Sequence, residues 1–215
     1  MIINWLSHSF FKIETQGKIL AIDPFNEEAV GIKPSRFKAD IVLSSHNHDD
    51  HNNVDLIMGE PFVLKNSGEI EISNIFVKAI ETFHDNKEGE ELGKNNIFVI
   101  DSEGIRLVHM GDYGERKMKD DLIEKLGSVD ILLIPVGNDK IMSISEAIDI
   151  IKKIEPKIVI PMHYQTQGPK NNEEIIKKFI KEIGIEVETM DKLNIKKANL
   201  SDDEDAQMQL IILQN

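Results

Sequence analysis

No cysteine occurs anywhere in the 215 residues, which excludes disulfides, thiolate metal ligands and a cysteine nucleophile from this chain. Positive charge is also scarce: 25 Lys and Arg stand against 38 Asp and Glu, a formal net charge of −13. Nucleic acid is therefore not an expected partner, because its binders present a basic face. No apolar run approaches the ~18 residues of a membrane span. The opening Met1-Ile2-Ile3-Asn4-Trp5-Leu6 has neither a basic start nor a small-residue cleavage site, so no secretory signal is expected and a cytoplasmic location is the default. Linkers and low-complexity tracts are missing as well, and the chain reads as one domain over 1–215. Its composition, 40% hydrophobic and 29% charged, is that of an ordinary globular protein. Abundant Ile, Lys and Glu without Cys fit either a heat-adapted source or a biased genome.

What the chain does have is His46-Asn47-His48-Asp49-Asp50-His51, which holds three of its seven histidines. A His-x-His pair followed by Asp-His brings imidazole nitrogen and carboxylate oxygen together. Divalent cations take both at about 2.0–2.2 Å. A solvated, histidine-rich loop is the plain alternative, and the positions of the other ligand-type residues weigh against it.

Residues 2–5, 10–14 and 18–22 read as strands, the last two joined by Gln16-Gly17 and the third stopped by Asp23-Pro24. The apolar run 41–43, bounded by Ser44-Ser45, reads as a strand covered on both faces. The His-rich stretch thus follows the carboxyl end of a buried strand, the edge where open α/β sheets keep their ligands. Further strands are expected at 61–65, 75–82, 96–100, 105–109, 129–134, 157–160, 186–189 and 207–213, with helices at 51–58, 117–126, 144–154 and 173–183. Ser143 and Glu146 have capping-box spacing for the 144–154 helix and Pro156 closes it; Gly127 and Gly184 stand where C-terminal caps belong. The run from Ser201 to Asp205 reads as a solvated acidic turn.

The sequence also echoes itself. Phe11-x-Ile13 with Gly17, Leu20 and Asp23 is similar to Phe98-x-Ile100 with Gly104, Leu107 and Asp112, and Asp-Ile-x-Leu follows each time at Asp40 and Asp130. This suggests two related β-rich halves. Coincidence competes with that reading, since the second copy carries two extra residues before its aspartate.

His84, His109 with Asp112, and His163 each come just after an expected strand. One strand-end histidine is usually structural; several together with the 46–51 cluster are not. A chemical count gives His46, His48 and His84 to one cation and Asp50, His51 and His163 to a second, with Asp112 able to bridge. Each cation then lacks one position, left for a shared water, which marks a catalytic rather than a closed structural site.

These residues resemble the ordered motifs of the metallo-β-lactamase superfamily: His46-x-His48-x-Asp50-His51, the lone His84, Gly111-Asp112, then Pro161-Met162-His163-Tyr164. Trp5-Leu6-Ser7-His8-Ser9, Asp23-Pro24 and Pro135-Val136-Gly137 ahead of Met142 are similar to the branch of metal-dependent hydrolases related to ascorbate-6-phosphate lactonase and N-acylphosphatidylethanolamine phospholipase D. The resemblance runs from about Trp5 to Tyr164. It implies an α/β protein with a four-layer αββα sandwich of two mixed sheets, helices outside, and a dinuclear site at one edge. It also implies that Asp23 steadies the metal loop and that His109 precedes the bridging aspartate without being a ligand. For His8 it leaves open a place behind the ligands, a place facing substrate, or a structural role. Ser7 stands where many relatives have Gly, and Tyr113 where many have Thr; both departures bear on substrate fit rather than on metal binding.

The expected chemistry is hydrolysis of an ester, lactone, amide or phosphodiester in a small substrate. Two cations about 3.5–4 Å apart bring the pKa of a shared water towards 7. Asp50 ranks first as proton acceptor, His163 is grouped with it as catalytic, and Tyr164 either assists the leaving group or packs beside His163. Zinc is the first expectation, while manganese, iron and nickel suit the same donors. Rivals are a di-iron redox enzyme, disfavoured because His48 stands where glutamate would favour that role, an RNA or DNA phosphodiesterase, disfavoured by charge, and a non-catalytic metal-binding module. Rim loops fall at 25–37, 86–95, 138–142 and 165–171, where Asn138, Lys140 and Lys170 offer contacts to an anionic substrate. A homo-oligomer is compatible with all of this.

Overall fold

Phe11, Ile13 and Thr15 are buried while Lys12 and Glu14 between them are not, the period of a strand covered on one face. By contrast Ile131–Pro135 and Ile158–Met162 are buried at every position, as central parallel strands are. The computed structural model describes residues 1–137, 141–164, 169–201 and 207–214, without the side chains of 169–172. The rim residues Asn138, Lys140 and Lys170 (the last as a side chain) and the acidic run from Asp202 lie outside the described residues.

In chain order the strands are β1 Ile2–Trp5, β2 Phe11–Thr15, β3 Lys18–Ile22, β4 Ile41–Leu43, β5 Phe62–Leu64, β6 Gly68–Ile72 and β7 Ile75–Phe83. They continue with β8 Lys94–Ser102, β9 Ile105–His109, β10 Ile131–Pro135, β11 Ile158–Met162, β12 Val187–Met190, β13 Leu193–Asn194 and β14 Gln209–Leu213. The helices are α1 Glu27–Val30, α2 Asp120–Leu126, α3 Ile144–Ile154 and α4 Pro169–Ile183. Two mixed sheets result, ordered β13-β1-β2-β3-β4-β5 and β12-β14-β11-β10-β9-β8-β7-β6. Their facing sides share one apolar core, in which Ile3, Phe11, Ile13 and Leu43 of the first sheet meet Val77, Phe98, Ile100 and Leu107 of the second. The same contiguous apolar cluster extends to Ala147, Ile148 and Ile151 of α3. The other face of the first sheet carries a smaller cluster around Phe10, Phe25, Val42 and Ile57, covered by α1 and loops rather than by a long helix.

The expected αββα arrangement is thus present, and the sequence echo is a repeat of topology. β2 and β3 form a hairpin with β4 parallel beside it, and β8, β9 and β10 do the same. The pairing Phe11 with Ile22 recurs as Phe98 with His109. Both hairpins turn through two left-handed residues, Gln16-Gly17 and Glu103-Gly104. Asp40 accepts from the Ile19 N–H at 2.9 Å, and Asp130 from the Arg106 N–H at 2.9 Å.

One expected helix does not form. Of 51–58 only Val54–Leu56 makes a 3₁₀ turn. The Asn53 N–H donates instead to the Pro24 carbonyl, its side chain donates to the Phe25 carbonyl, and Met58 N–H bonds Phe37. Backbone groups that a helix needs are held by the neighbouring loop.

Directions set by the pairings put the carboxyl ends of β1, β3 and β4 together in one sheet, and those of β7, β9 and β11 together in the other. His8, Asp23, His46, His84, Asp112 and His163 each follow one of these six ends.

Candidate metal centre

One oxygen organises the site. Asp112 Oδ2 lies 3.3 Å from His51 Nε2, 3.3 Å from His84 Nε2 and 3.1 Å from His163 Nε2. Two ligands of one tetrahedral cation stand roughly 3.3 Å apart when each bond is about 2.0 Å. His46, His48 and His84 each offer a ligand atom within 4.8 Å of the others, as do His8, Asp50, His51 and His163, and again His46, His51 and Asp112. Every residue expected to ligate therefore joins this convergence.

Outer contacts fix which nitrogen each ring presents. Asp23 is fully buried and its carboxylate accepts from the Ser45 N–H at 2.7 Å, the Ser45 hydroxyl at 2.7 Å and His51 Nδ1 at 2.8 Å. With its own hydrogen given to Asp23, the Ser45 oxygen accepts from His46 Nδ1 at 2.9 Å. With Nδ1 so engaged, His46 and His51 both turn Nε2 into the cluster, the arrangement that metal-binding histidines commonly show. Asn95 performs the matching task for Asp112, accepting its N–H at 2.9 Å while donating to the Met110 carbonyl and to Thr82.

Buried polar atoms are nearly always paired. Here His46 Nε2, His51 Nε2, Asp112 Oδ1, His84 Nδ1, His8 Nδ1 and both nitrogens of His163 are buried without a hydrogen-bond partner. The fit to a divalent cation rests on the unpartnered atoms of His46, His51, His84, Asp112 and His163 in that group. Charge agrees with it. Burial raises Asp112, but His163 and His51 outweigh it and hold the carboxyl well below its ordinary range. Burial opposes charge on His51, yet Asp112 and Asp23 raise it well above the usual imidazole value. Positive charge is what this pocket of carboxylates demands. His46, by contrast, is pushed down to about 2, first by burial and then by His51.

The remaining expected residues divide. His109 is fully buried with Nε2 donating to the Ser9 carbonyl at 3.0 Å and Nδ1 accepting from the Gly111 N–H, so both nitrogens are used by backbone. His8 follows Ser7 in a turn where both are left-handed, at φ 54° and 83°; the second is a backbone conformation that glycine adopts most readily. The His8 ring is buried, with its centroid 3.9 Å from that of His163 and its Nε2 3.2 Å from Asp50 Oδ2. Burial, then the charge of His163, pushes it down to about 4. Asp50 is half-buried at the mouth; burial raises its carboxyl, but the His8 hydrogen bond and the charges of His51 and His8 together outweigh burial and hold it below the ordinary range. Tyr164 packs on Trp5 at 5.2 Å, makes no hydrogen bond or ring contact with the histidine cluster among the described residues, and has its hydroxyl pushed well above the ordinary phenol range by burial. Tyr113 is fully buried in the core, so it has no surface through which to alter substrate fit, contrary to the expectation for that departure.

Sequence reasoning passed over Ser45, Asn95 and Asp85. The last takes four backbone N–H groups from the loop after His84, at 2.7–3.0 Å. The signal for Ser45 was its place directly before the first ligand; Asn95, inside a strand, gave none.

The chain matches the beta-lactamase superfamily domain over residues 2–163. A metal-dependent hydrolase of Pyrococcus abyssi is 30% identical over 195 residues, covering 78% of this chain and 86% of the relative. One from Archaeoglobus fulgidus is 29% identical over 223 residues, covering 88% and 95%. A solved structure of a metallo-beta-lactamase superfamily member from Thermotoga maritima shares 29% identity with a TM-score of 0.77 and 99% of each chain covered. The converging strand ends and these likenesses agree: the chain belongs to the metallo-β-lactamase superfamily, in its group of metal-dependent hydrolases.

Proposed function

We propose that this chain hydrolyses an ester, lactone or phosphodiester bond in a small, non-nucleic-acid substrate, acting in the cytoplasm with two divalent cations, zinc first among them. His46, His48 and His84 would hold one cation, Asp50, His51 and His163 the other, and Asp112 would serve both. When bound, such cations supply hydroxide at neutral pH and stabilise negative charge on the reacting centre. Asp50 is the carboxylate of the set that reaches solvent, with its side chain 32% exposed against 2% for Asp112. That exposure supports assigning to it the proton taken from water entering the mouth. Asp23, Ser45 and Asn95 keep the other donors in register. The observation that carries the reading is the crowding of three imidazole nitrogens on one buried carboxylate oxygen, two of them without an aligned hydrogen bond.

The test is metal analysis of the purified protein, then a screen of lactones, phosphodiesters and thioesters before and after chelation. Asp50→Ala is expected to lose about 10²–10⁴-fold in turnover, and His48→Ala to lose metal with activity. Full turnover in the chelated protein, or in both variants without metal, overturns the reading.

A further inference from the structure

His8 is a histidine with an unusual set of costs. It and Ser7 occupy consecutive left-handed positions, which non-glycine residues rarely adopt. Its carbonyl is clamped twice, by the Trp5 indole N–H at 2.8 Å and by the His163 N–H at 3.1 Å. Its ring is buried between Phe25, His51 and His163, where an apolar side chain would satisfy packing alone. What the imidazole adds is the contact from Nε2 to Asp50 Oδ2 at 3.2 Å.

That contact fills a gap in the site. His46 is oriented by Ser45, His51 by Asp23, Asp112 by Asn95, and His163 through its backbone bond to His8. The side-chain hydrogen bond of Asp50, among the described residues, is the one from His8. We infer that His8 is the positioning residue of Asp50, donating from Nε2 to hold this half-exposed carboxylate against the second cation. The inference rests on the dinuclear reading above and deepens it. His8 is not counted as a ligand itself: Asp50, His51, His163 and Asp112 already offer four donors, and a fifth would close the position that hydrolysis needs.

The experiment compares zinc binding by competition with a chromophoric chelator in wild type, His8→Phe, His8→Gln, Asp50→Asn and the double variant His8→Phe/Asp50→Asn. Circular dichroism confirms folding, and cobalt spectra count imidazole ligands. Wild type is expected to bind two zinc ions. His8→Phe keeps ring packing but not the donor, and should weaken one of the two by about 10–100-fold, the usual effect of losing an outer partner. His8→Gln, whose amide donates to Asp50, should restore most of it. In the Asp50→Asn background His8→Phe should change nothing further. Losses that multiply in the double variant, or a cobalt spectrum in which His8→Phe removes an imidazole ligand, overturn the inference while leaving the dinuclear reading intact. A wild type that binds no zinc, manganese, iron or nickel overturns both.

Discussion

The backbone N–H of His163 donates to the carbonyl of His8 at 3.1 Å, tying the end of β11 in one sheet to the turn after β1 in the other. Both residues are left-handed, at φ 62° and 54°. This tie sets the two rings 3.9 Å apart. The Trp5 indole N–H shares the same carbonyl at 2.8 Å. Trp5→Phe should therefore cost about 1 kcal/mol, since the acceptor keeps its His163 partner. Urea denaturation measures it, and an unchanged midpoint refutes the shared clamp.

Asp23→Asn retains shape but not chemistry. All three partners of the Asp23 carboxylate donate, so an amide nitrogen must face at least one donor. Metal affinity is expected to fall by about 10–100-fold. Ring ¹⁵N shifts should show His51 and His46 losing their fixed Nδ1–H form.

A methyl group at position 114 has nowhere to go. It would collide with the carbonyl of His84, a backbone atom that cannot swing aside, while the Gly114 N–H is fixed to Phe83. Gly114→Ala should destabilise by about 1–3 kcal/mol, as overpacking does. It should also weaken metal binding through His84, with the melting temperature and a zinc titration as readouts.

Acid should act through the repeated aspartates. Lys18 and the Ile19 N–H lower Asp40. Burial raises Asp130, but the Arg106 N–H, Lys157 and Lys197 outweigh it and lower it. A folded pKa below the unfolded one, ordinarily about 3.9, gives stability that is present above that pH and is lost as pH falls further. Wild type should thus lose stability below about pH 4. Asp130→Asn should be less stable at neutral pH and flatter across that acid range in urea titrations.

Sequence patterning showed most of the frame because the periodicities are strong. The bounds of Ile144–Ile154 follow from its capping box and apolar stripe, and Ser143 and Glu146 do exchange those bonds. Gly68–Ile72 was missed: Glu69 and Glu71 alternate with isoleucines that are only half-covered on an edge strand. Glu27–Val30 and Leu193–Asn194 are too short to carry a period. The donor residues were legible because chemistry restricts them to His and Asp. Asn95 was not: it acts by hydrogen bonds to Thr82, Met110 and Asp112, far along the chain, which no local pattern records, and of Ser45 only its place beside His46 was visible, not its bonds to Asp23.

The cover over the outer face of the first sheet consists of loops around one four-residue helix, with Phe25 touching His8 at its edge. Among the described residues, no strand of either sheet lies between Phe25 and Phe37, so the pairings that build the sheets do not run through that stretch. Evolution can therefore re-tailor that wall for new molecules at little cost to the machinery beneath, and diversification within this lineage should concentrate between Phe25 and Phe37.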